Sequence, residues 1–284
     1  MMQNLRQIKN RIRSVRNTRK ITHAMEMVAA AKLNRIKTLF YLSRPYLHNM
    51  DSLVRRILSD GLHNPHPLLV KREPVRSVGI CVIASDTGLC GPYNHNIIAF
   101  TQWFLSSFGK EAVRIIAVGK EAYVYFKKNA FNVTDSYLGL QGKYSPGFEN
   151  ELAGRLESYF LSGEIDEAYL IYTDFSSALR HKPIAEKILP VDLPEADKPE
   201  YILEPGMDEI LKAIIPKYVS AKIRLALLNT LTTEHSARMF AMKTATDNAD
   251  DLVSELELQR NKTRQFAITK EVLEVAMSAE ALKG

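Results

Sequence analysis

This 284-residue chain contains a short glycine-bearing segment whose residues could do chemistry. It reads SDTGLCG at positions 85–91. In an open α/β sheet, a glycine-bearing loop after a strand is a common place for a nucleotide to bind. The segment does not follow GxGxxG, and the chain contains no GxxxxGK[ST], so both phosphate-binding signatures are missing. We therefore expect no bound cofactor and a tight structural turn that comprises Ser85, Asp86, Gly88, Leu89, Cys90 and Gly91.

A cysteine and several histidines offer the remaining candidate chemistry. Cys90 with nearby His95 could form a nucleophile and its base, but a single such proximity in sequence is a weak signal. His63 and His66 have a spacing that can hold a metal ion, yet their proline-rich surroundings supply no acid or cysteine. Exposed loop histidines are the better interpretation there. His235 lies on a helical stripe, which favours a satisfied interface residue over a ligand.

The elements that must position these residues are indicated by where glycine and proline are missing. Residues 1–60 and 207–283 contain no glycine and one proline each, whereas twelve of the thirteen glycines lie within 61–206. Both residue types destabilise helix interiors, by about 1 kcal/mol for glycine and about 3 kcal/mol for proline. Two long helices are therefore predicted to bracket a turn-rich middle. We expect Pro45 to kink the first helix rather than to end it.

A heptad pattern predicts how these helices are buried. One unbroken seven-residue register places apolar side chains at two positions of each heptad in the first segment, which is typical of a coiled-coil seam. Only Arg19, Thr22, Glu26 and Ser43 interrupt it, and we expect the first three to face something other than the partner helix. The last segment carries a less regular stripe. The predicted seam comprises Leu5, Ile8, Ile12, Val15, Leu33, Ile36, Phe40, Leu228, Met242, Val253 and Leu256.

Helix length adds a second constraint. Helices of about 55 and 70 residues would run roughly 80 and 105 Å at 1.5 Å per residue. Neither can be buried within a domain of this mass. We therefore expect the two helices to pair with each other, with part of the pair projecting.

The middle of the chain alternates apolar runs of strand length with helical segments, which predicts a small open α/β sheet. Strands are predicted at 77–84, 113–118 and 168–173, and helices near 93–107, 120–129 and 149–161. The predicted organisation is a helix at 1–60, a linker at 61–74, an α/β domain at 75–195, a linker at 196–206 and a helix at 207–284.

Composition excludes some classes of protein. Apolar content of 46% and charged content of 25% are ordinary for a soluble globular protein, and no apolar run is long enough to span a bilayer. Cys81 and Cys90 fit a reduced intracellular compartment better than a disulfide scaffold.

The charge of the N-terminal segment leaves several interpretations open. Net charge is +6, and seven lysines and arginines precede the first acid, Glu26. Such a segment could be a mitochondrial presequence, a nucleic-acid-binding arm or one face of a structural helix. A coiled-coil nucleic-acid binder would use these cations on phosphates, although no aromatic interleaving or recognised binding module accompanies them. A small-molecule enzyme built on the α/β domain is the second alternative, which the missing phosphate signatures disfavour.

Two long blocks carry a family resemblance. Residues 8–33 read IKNRIRSVRNTRKITHAMEMVAAAKL, and residues 234–272 read EHSARMFAMKTATDNADDLVSELELQRNKTRQFAITKEV. Together with SDTGLCG, these blocks resemble the gamma subunit of F-type ATP synthases, and the resemblance runs from about Leu5 to Ala276. Because it begins by residue 5, we expect the basic residues to belong to the mature helix rather than to a presequence.

The resemblance implies a fold and a function. The fold would be an antiparallel coiled coil of both terminal helices with an open, Rossmann-like α/β domain that has no nucleotide site. The chain would be a central-stalk rotor, non-catalytic by itself, that couples ion-driven rotation to the catalytic cycle. Its partners would be three alpha subunits, three beta subunits, the epsilon subunit and the c-ring, with no nucleic acid. It would reach the cytoplasmic side of a bacterial plasma membrane only through those partners.

The resemblance also implies contact residues. Met25 would meet an acidic loop of the beta subunit, next to a basic surface of Arg11, Arg13 and Lys20. In the last helix, the residues implied to hydrogen-bond the catalytic ring are Arg238, Arg264, Gln265, Thr269 and Glu271. The alternative for all of them is a solvated helix face. The sequence departs from the family pattern at Thr87, where arginine is common, at Lys270 and Val272, and at a charged tip with Glu280 and Lys283.

Overall fold

Two long helices and a five-stranded sheet make up this computed structural model, which describes residues 5–58, 66–177, 181–192 and 206–281. Helix α1 (Leu5–Leu58) has 54 residues and continues through Pro45, as expected. The last helix, α5 (Met207–Ala281), has 75 residues and continues through Pro216. The long helices and the mixed sheet between them confirm the predicted α/β class.

The sheet lies between the two long helices in sequence. Its elements in chain order are β1 (Val78–Ile83), α2 (Tyr93–Leu105), β2 (Val113–Val118), α3 (Lys120–Lys128), β3 (Val133–Tyr137), α4 (Phe148–Leu161), β4 (Glu167–Phe175) and β5 (His181–Leu189). The strand order is β3-β2-β1-β4-β5. Strands β1 to β4 are parallel, and β5 runs antiparallel beside β4. The predicted strands match β1, β2 and β4 closely, but the two edge strands were not predicted.

Alternating side chains of the parallel strands fill a separate core on each face of the sheet. On one face, Val78, Ile80 and Val82 of β1 pack with residues of α2 and α3. On the other face, Cys81 and Ile83 pack with α4, with the end of α1 and with the beginning of α5. Both faces are therefore covered by helices, which is why the central strands read as continuous apolar runs.

The chain divides into two compact units. The central unit consists of residues 29–238, and the terminal unit consists of residues 1–28 and 239–284. In each unit, α1 and α5 pack in antiparallel order. In the central unit, Ile36 and Phe40 of α1 pack against Leu228 and Leu231 of α5.

The seam of the terminal unit has fewer apolar contacts. Ile8 and Ile12 of α1 pack with Leu256 of α5, with Val15 and Leu252 partly buried beside them. The other proposed seam residues also turn inwards. Leu33 and Met242 are buried, whereas Leu5 and Val253 are half-buried.

The expectation that the polar interruptions face away from the partner helix is wrong for two of them. The Thr22 hydroxyl is buried and lies 2.8 Å from the Thr246 hydroxyl of α5. Arg19 forms an ion pair with Asp250 of the same helix. Thr22 and Arg19 are tolerated in the seam because α5 supplies a polar group opposite each of them.

Several predictions fall on parts of the chain that the structure does not describe. They include His63 in the first linker, most of the second linker, Lys283 and the side chain of Glu280. Among the described residues, no helix combines the length and apolar character that a bilayer crossing requires.

Candidate functional site

A stretch of α5 in the central unit is buried although more than half of its residues are polar. Residues 226–238 are all buried. Of these, Asn229, Thr232, Glu234, His235 and Arg238 carry polar or charged side chains at 0 to 9% exposure. Burying such groups is costly unless each is hydrogen-bonded or paired. The partners of these side chains therefore show what this part of α5 is fixed to.

Asn229 fixes α5 to the end of strand β4. Its Oδ1 accepts a hydrogen bond from the backbone N–H of Phe175 at 2.6 Å, and its Nδ2 donates to the Asp174 carboxylate at 2.8 Å. One turn further along α5, the Thr233 hydroxyl lies 3.4 Å from the carbonyl of Thr173. The carboxyl end of β4 is thus tied to the helix by directional contacts.

Arg238 binds the turn that follows β1. Its Nη2 donates to the carbonyl and the hydroxyl of Thr87, each at 3.0 Å, and its Nε lies 3.4 Å from the Gly88 carbonyl. Its Nη1 donates to the Glu234 carboxylate at 2.7 Å. Burial raises the pKa of Glu234, while the Arg238 guanidinium opposes that change. The resemblance implied that Arg238 contacts the catalytic ring. In this structure, its N–H groups instead donate to the turn after β1 of the same chain.

Asp86 joins that turn to two other segments. Its Oδ1 accepts from the N–H groups of Lys120, at 3.0 Å, and Gly139, at 3.1 Å, while its Oδ2 accepts from Gln141 at 2.7 Å. Lys120 is the first residue of α3. The amino end of a helix is where a nucleotide phosphate would bind in this type of sheet, and here a carboxylate of the chain already lies there. Its negative charge disfavours a phosphate at that position.

His235 is satisfied by the chain, as its sequence position indicated. Its Nε2 lies 2.7 Å from the carbonyl of Gly142, and its Nδ1 lies 3.4 Å from Nη1 of Arg238. A carbonyl can only accept and a guanidinium can only donate, so the ring must be the neutral tautomer with its proton on Nε2. Burial lowers the pKa of His235 to about 4, and the positive charges of Arg238 and Lys32 act in the same direction.

The other chemical candidates occupy structural positions. The Cys90 thiol is buried, and its nearest polar partners are Asn94 and the carbonyl of Thr87. Burial raises the pKa of this thiol, which opposes formation of the nucleophilic thiolate, and His95 is exposed on α2. His66 accepts a hydrogen bond from the N–H of Leu68. Within the described ranges, no cluster of three metal-binding side chains occurs.

The terminal unit presents a basic face. Arg11, Arg13 and Lys20 are exposed, and Met25 is half-buried. Arg13 and Lys20 line a shallow groove along α1 together with Lys9, Arg16 and Arg260. Arg16 forms an ion pair with Glu257 on the partner helix. The groove is therefore a positive surface that an acidic segment of another protein could neutralise.

The last turns of α5 have no covering element among the described residues. All of 264–278 is exposed, and this segment includes Arg264, Gln265, Thr269 and Glu271. At 100° per residue, the exposed side chains of Phe266, Leu273 and Met277 share one face of the helix. The opposite face carries Ile268, Val272 and Val275, which are exposed by 51 to 69%.

Sequence reasoning missed the buried ionic and hydrogen-bonding network. Asn229, Glu234 and the residues of the segment 138–144 were not proposed as functional, and Arg238 was proposed for the opposite role. The available signal was the run of eight polar or ionisable residues within 229–238. Such a run is compatible with a solvated face, and only the surrounding elements show that it is buried.

Comparison with known proteins gives one consistent answer. A family model described as ATP synthase matches residues 4–282. The ATP synthase gamma chain of Desulfitobacterium hafniense is 40% identical over 285 residues, covering 99% of this chain and 100% of the relative. The gamma chain of Protochlamydia amoebophila is 38% identical over 286 residues, with 99% and 100% covered.

Solved structures agree at the level of the fold. A rotor chain of the Euglena gracilis mitochondrial ATP synthase superimposes with a TM-score of 0.66 at 17% identity, covering 93% of this chain and 98% of that one. A chain from the central stalk and c-ring of the Tetrahymena thermophila mitochondrial enzyme gives 0.61 at 21% identity, covering 79% and 99%.

Proposed function

This chain belongs to the family of ATP synthase gamma chains, the central-stalk subunits of F-type ATP synthases, and we propose that it is the rotor that couples ion flow to ATP synthesis. Rotation of a c-ring would turn it within a ring of alpha and beta subunits. The chain itself would carry out no bond-making or bond-breaking step. The observation that carries this proposal is the uncovered end of α5, whose apolar side chains lie on two opposite faces.

A helix end with apolar side chains exposed on two opposite faces calls for a surrounding partner. An isolated helical segment of about 15 residues is marginal in water, and exposed apolar patches commonly mark sites of contact with other proteins. A partner helix in a coiled coil would cover one face only, whereas a collar of several subunits would cover both faces. A ring that encloses the end of α5 is therefore the kind of partner that fits this segment.

The mechanism follows from the asymmetry of a single chain inside a ring of identical subunits. The chain cannot contact three equivalent beta subunits in the same way. Each angular position therefore stabilises a different conformation in each subunit, which is a coupling free energy between rotation angle and nucleotide affinity. The basic groove of the terminal unit supports such contacts, because exposed charge pairs are worth only about 0–1 kcal/mol each and can be released as the rotor turns.

The finer partner assignments are also part of the proposal. We infer a ring of three alpha and three beta subunits, with Met25, Arg11, Arg13 and Lys20 meeting an acidic loop of the beta subunit. The end of α5 would contact the ring through Arg264, Gln265, Thr269 and Glu271. The α/β domain would bind the epsilon subunit and the c-ring. The chain would then lie at the cytoplasmic face of a bacterial plasma membrane without entering the bilayer.

Reconstitution tests the proposal directly. The purified chain should show no ATPase activity alone, and it should raise the ATPase activity of an alpha-beta preparation when added at one copy per three of each partner. The measurement is the rate of phosphate release as a function of added chain. No stimulation, or stimulation that saturates at three copies per ring, would contradict a central rotor.

A charge-reversal variant separates the basic face from the rest of the chain. Replacing Arg13 and Lys20 by Glu should weaken binding to the ring and reduce its dependence on salt, since both residues are exposed. Lys120→Glu with Lys128→Glu, at two exposed positions of the α/β domain, makes the same change in net charge and should leave ring binding unchanged. Equal effects of the two double variants would show that net charge matters and the position of the groove does not.

A further inference from the structure

The segment 138–144, called the strap below, is an exposed loop that contacts three separate elements of the central unit. It follows β3 and contains three residues with positive φ, namely Gly139 at +83°, Gln141 at +49° and Gly142 at +65°. A positive φ has no steric cost for the two glycines and is unfavourable only for Gln141. The contacts of the strap must therefore hold Gln141 in this conformation.

The strap is held by Asp86 on one side and by both long helices on the other. The Asp86 carboxylate accepts the N–H groups of Gly139 and Gln141. The carbonyl of Gln141 accepts from Nζ of Lys32 on α1 at 3.1 Å, and the carbonyl of Gly142 accepts from His235 on α5 at 2.7 Å. Four directional contacts, from Asp86, α1 and α5, thus converge on three residues of the strap.

The fit at Gly142 leaves no room for a side chain. A Cβ built there would lie 2.6 Å from Cε1 and 3.0 Å from Nε2 of His235, and 3.3 Å from Oε1 of Glu234. These distances are shorter than normal van der Waals contacts. The close approach of the strap backbone to α5 therefore depends on glycine, and it brings the Gly142 carbonyl within reach of His235.

Tyr144 completes the strap. Its ring packs against the apolar cluster that α1 and α5 form at Phe40 and Leu228, and its hydroxyl donates to Glu149 of α4 at 2.8 Å. The strap is therefore tied to α4 as well as to both long helices, and its end is anchored in the seam of the central unit.

The strap adds to the other attachments of the long helices to the sheet, which for α5 include the contacts of Asn229 with β4. The apolar core, which includes Val54 of α1 and Ile215 of α5, is another of these attachments. Lys32 and His235 lie 22 and 20 residues away from these two core residues along their helices, which corresponds to about 30 Å at 1.5 Å per residue. Each attachment adds to the resistance of the helix pair to turning. Apolar packing is non-directional, whereas the hydrogen bonds of the strap fix an angle.

We propose that the strap is a directional fastening that opposes turning of the paired helices against the α/β body under load, with Asp86 and His235 as its positioning residues. This inference rests on the proposed rotor function. If torque enters through the α/β body and leaves through the helices, it crosses this junction. Loosening the strap then lets the helices slip, so that ATP is hydrolysed without ions being moved.

The test uses the complete synthase carrying this chain in inverted membrane vesicles. His235→Leu removes the donor to Gly142, and His235→Gln retains an N–H donor of similar reach. His95→Leu, at an exposed histidine of α2, is the matched control. The vesicles are energised with ATP until the proton gradient reaches its limit, and the remaining hydrolysis is measured as slip.

We expect His235→Leu to raise slip by about fivefold, the factor for loss of one hydrogen bond, with a lower limiting gradient. His235→Gln and His95→Leu should match the unmodified complex. Gly142→Ala, which forces the strap away from α5, is an independent second variant that should also raise slip. A lower yield or thermal stability of the assembled complex with unchanged slip in both variants would overturn the proposal and leave the strap a purely structural element. Failure of the unmodified complex to pump would instead overturn the rotor function itself.

Discussion

The central and terminal units pair the same two helices by different means. In the central unit, α5 is buried on every side over residues 226–238, and its charged side chains are paired within the fold. In the terminal unit, α1 and α5 bury one narrow seam, and ion pairs such as Arg16 with Glu257 lie at its exposed edge. Burial on all sides locks position, whereas a seam with exposed edges leaves surface for other proteins. The central unit holds the two helices in place, whereas the terminal unit leaves part of their surface exposed.

The largest expected difference between the units concerns charges in the seam. Leu33→Asp with Ile36→Asp places two carboxylates into buried positions of the central unit. The free energy of unfolding should fall by about 5 kcal/mol or more, because apolar burial is lost and each charge is desolvated. The free energy of unfolding is measured by denaturant titration. The titration is monitored by circular dichroism and by the fluorescence of Trp103, the single tryptophan.

The matched change in the terminal unit should behave differently. Ile8→Asp with Ile12→Asp should reduce helix content while leaving the Trp103 transition in place, because the central unit has its own core. Asn34→Asp, at an exposed position of α1, should change neither signal. A Trp103 transition that moves equally in both double variants would mean that the two units unfold as one.

The same substitution in an ion pair of each unit sharpens the comparison. Glu234→Gln leaves Arg238 buried without its charge partner, and this should cost about 3 kcal/mol or more. Glu257→Gln, in the exposed pair with Arg16, should cost about 0.5 kcal/mol or less. Thermal unfolding of both variants at two salt concentrations measures the difference. Similar costs would show that the buried pair is not distinguished by its surroundings.

Acid should weaken the central unit through His235. Its pKa in the folded chain is about 4, below the ordinary value of about 6.5 for an unfolded histidine. The unfolded state therefore binds a proton first, so stability is unaffected above pH 6.5 and is lost as the pH falls from 6.5 towards 4. The loss attributable to this residue should approach about 3 kcal/mol at pH 4.

His235→Gln isolates that contribution. The raised pKa of Glu234 acts in the opposite sense, because a proton on the folded carboxyl stabilises the folded state as the pH falls. The difference in the free energy of unfolding between the parent chain and His235→Gln at each pH removes the contributions that the two chains share. These also include the contributions of Arg238, Lys32 and Asp86. Urea unfolding midpoints between pH 4.5 and 7.5 measure this difference. Curves of midpoint against pH that run parallel for the two chains would contradict the neutral buried histidine.

A small effect is expected at the polar contact within the terminal seam. Thr22→Val or Thr246→Val alone should cost about 0.5 kcal/mol, because the contact between the hydroxyls is lost while the remaining hydroxyl still donates to a carbonyl of its own helix. The double variant should be close to neutral, since both hydroxyls are replaced by methyl groups of similar shape. A double-mutant cycle measured by thermal unfolding gives the coupling energy, and additive single effects would exclude direct contact in solution.

The helices and central strands could be predicted because one physical rule governs each of them. The absence of glycine and proline marks α1 and α5, and continuous apolar runs mark strands that helices cover on both faces. The edge strands escaped prediction for the same reason. Strand β3 (VTDSY) and strand β5 (HKPIAEKIL) are partly exposed and carry charges, and β5 contains Pro183, which an edge strand tolerates.

The buried network could not be predicted because its partners are remote in sequence. Arg238 reaches Thr87 across 151 positions, and His235 reaches Gly142 across 93. A charged residue on a long helix is usually solvated, so sequence alone favoured a partner-facing Arg238. Thr22 was misjudged in the same way, because its complement, Thr246, is 224 positions away. Periodicity predicts which face of a helix is apolar, but not which polar groups meet inside it.

The placement of the two cysteines has a practical consequence for following rotation. Cys81 and Cys90 are both buried and unpaired, and burial raises the pKa of each thiol. Because alkylating dyes react with exposed thiolates, the native chain should resist maleimide labelling while it stays folded. A single cysteine introduced at an exposed position such as Trp103 would then carry a fluorophore or a bead tether alone, with no need to remove the native cysteines first.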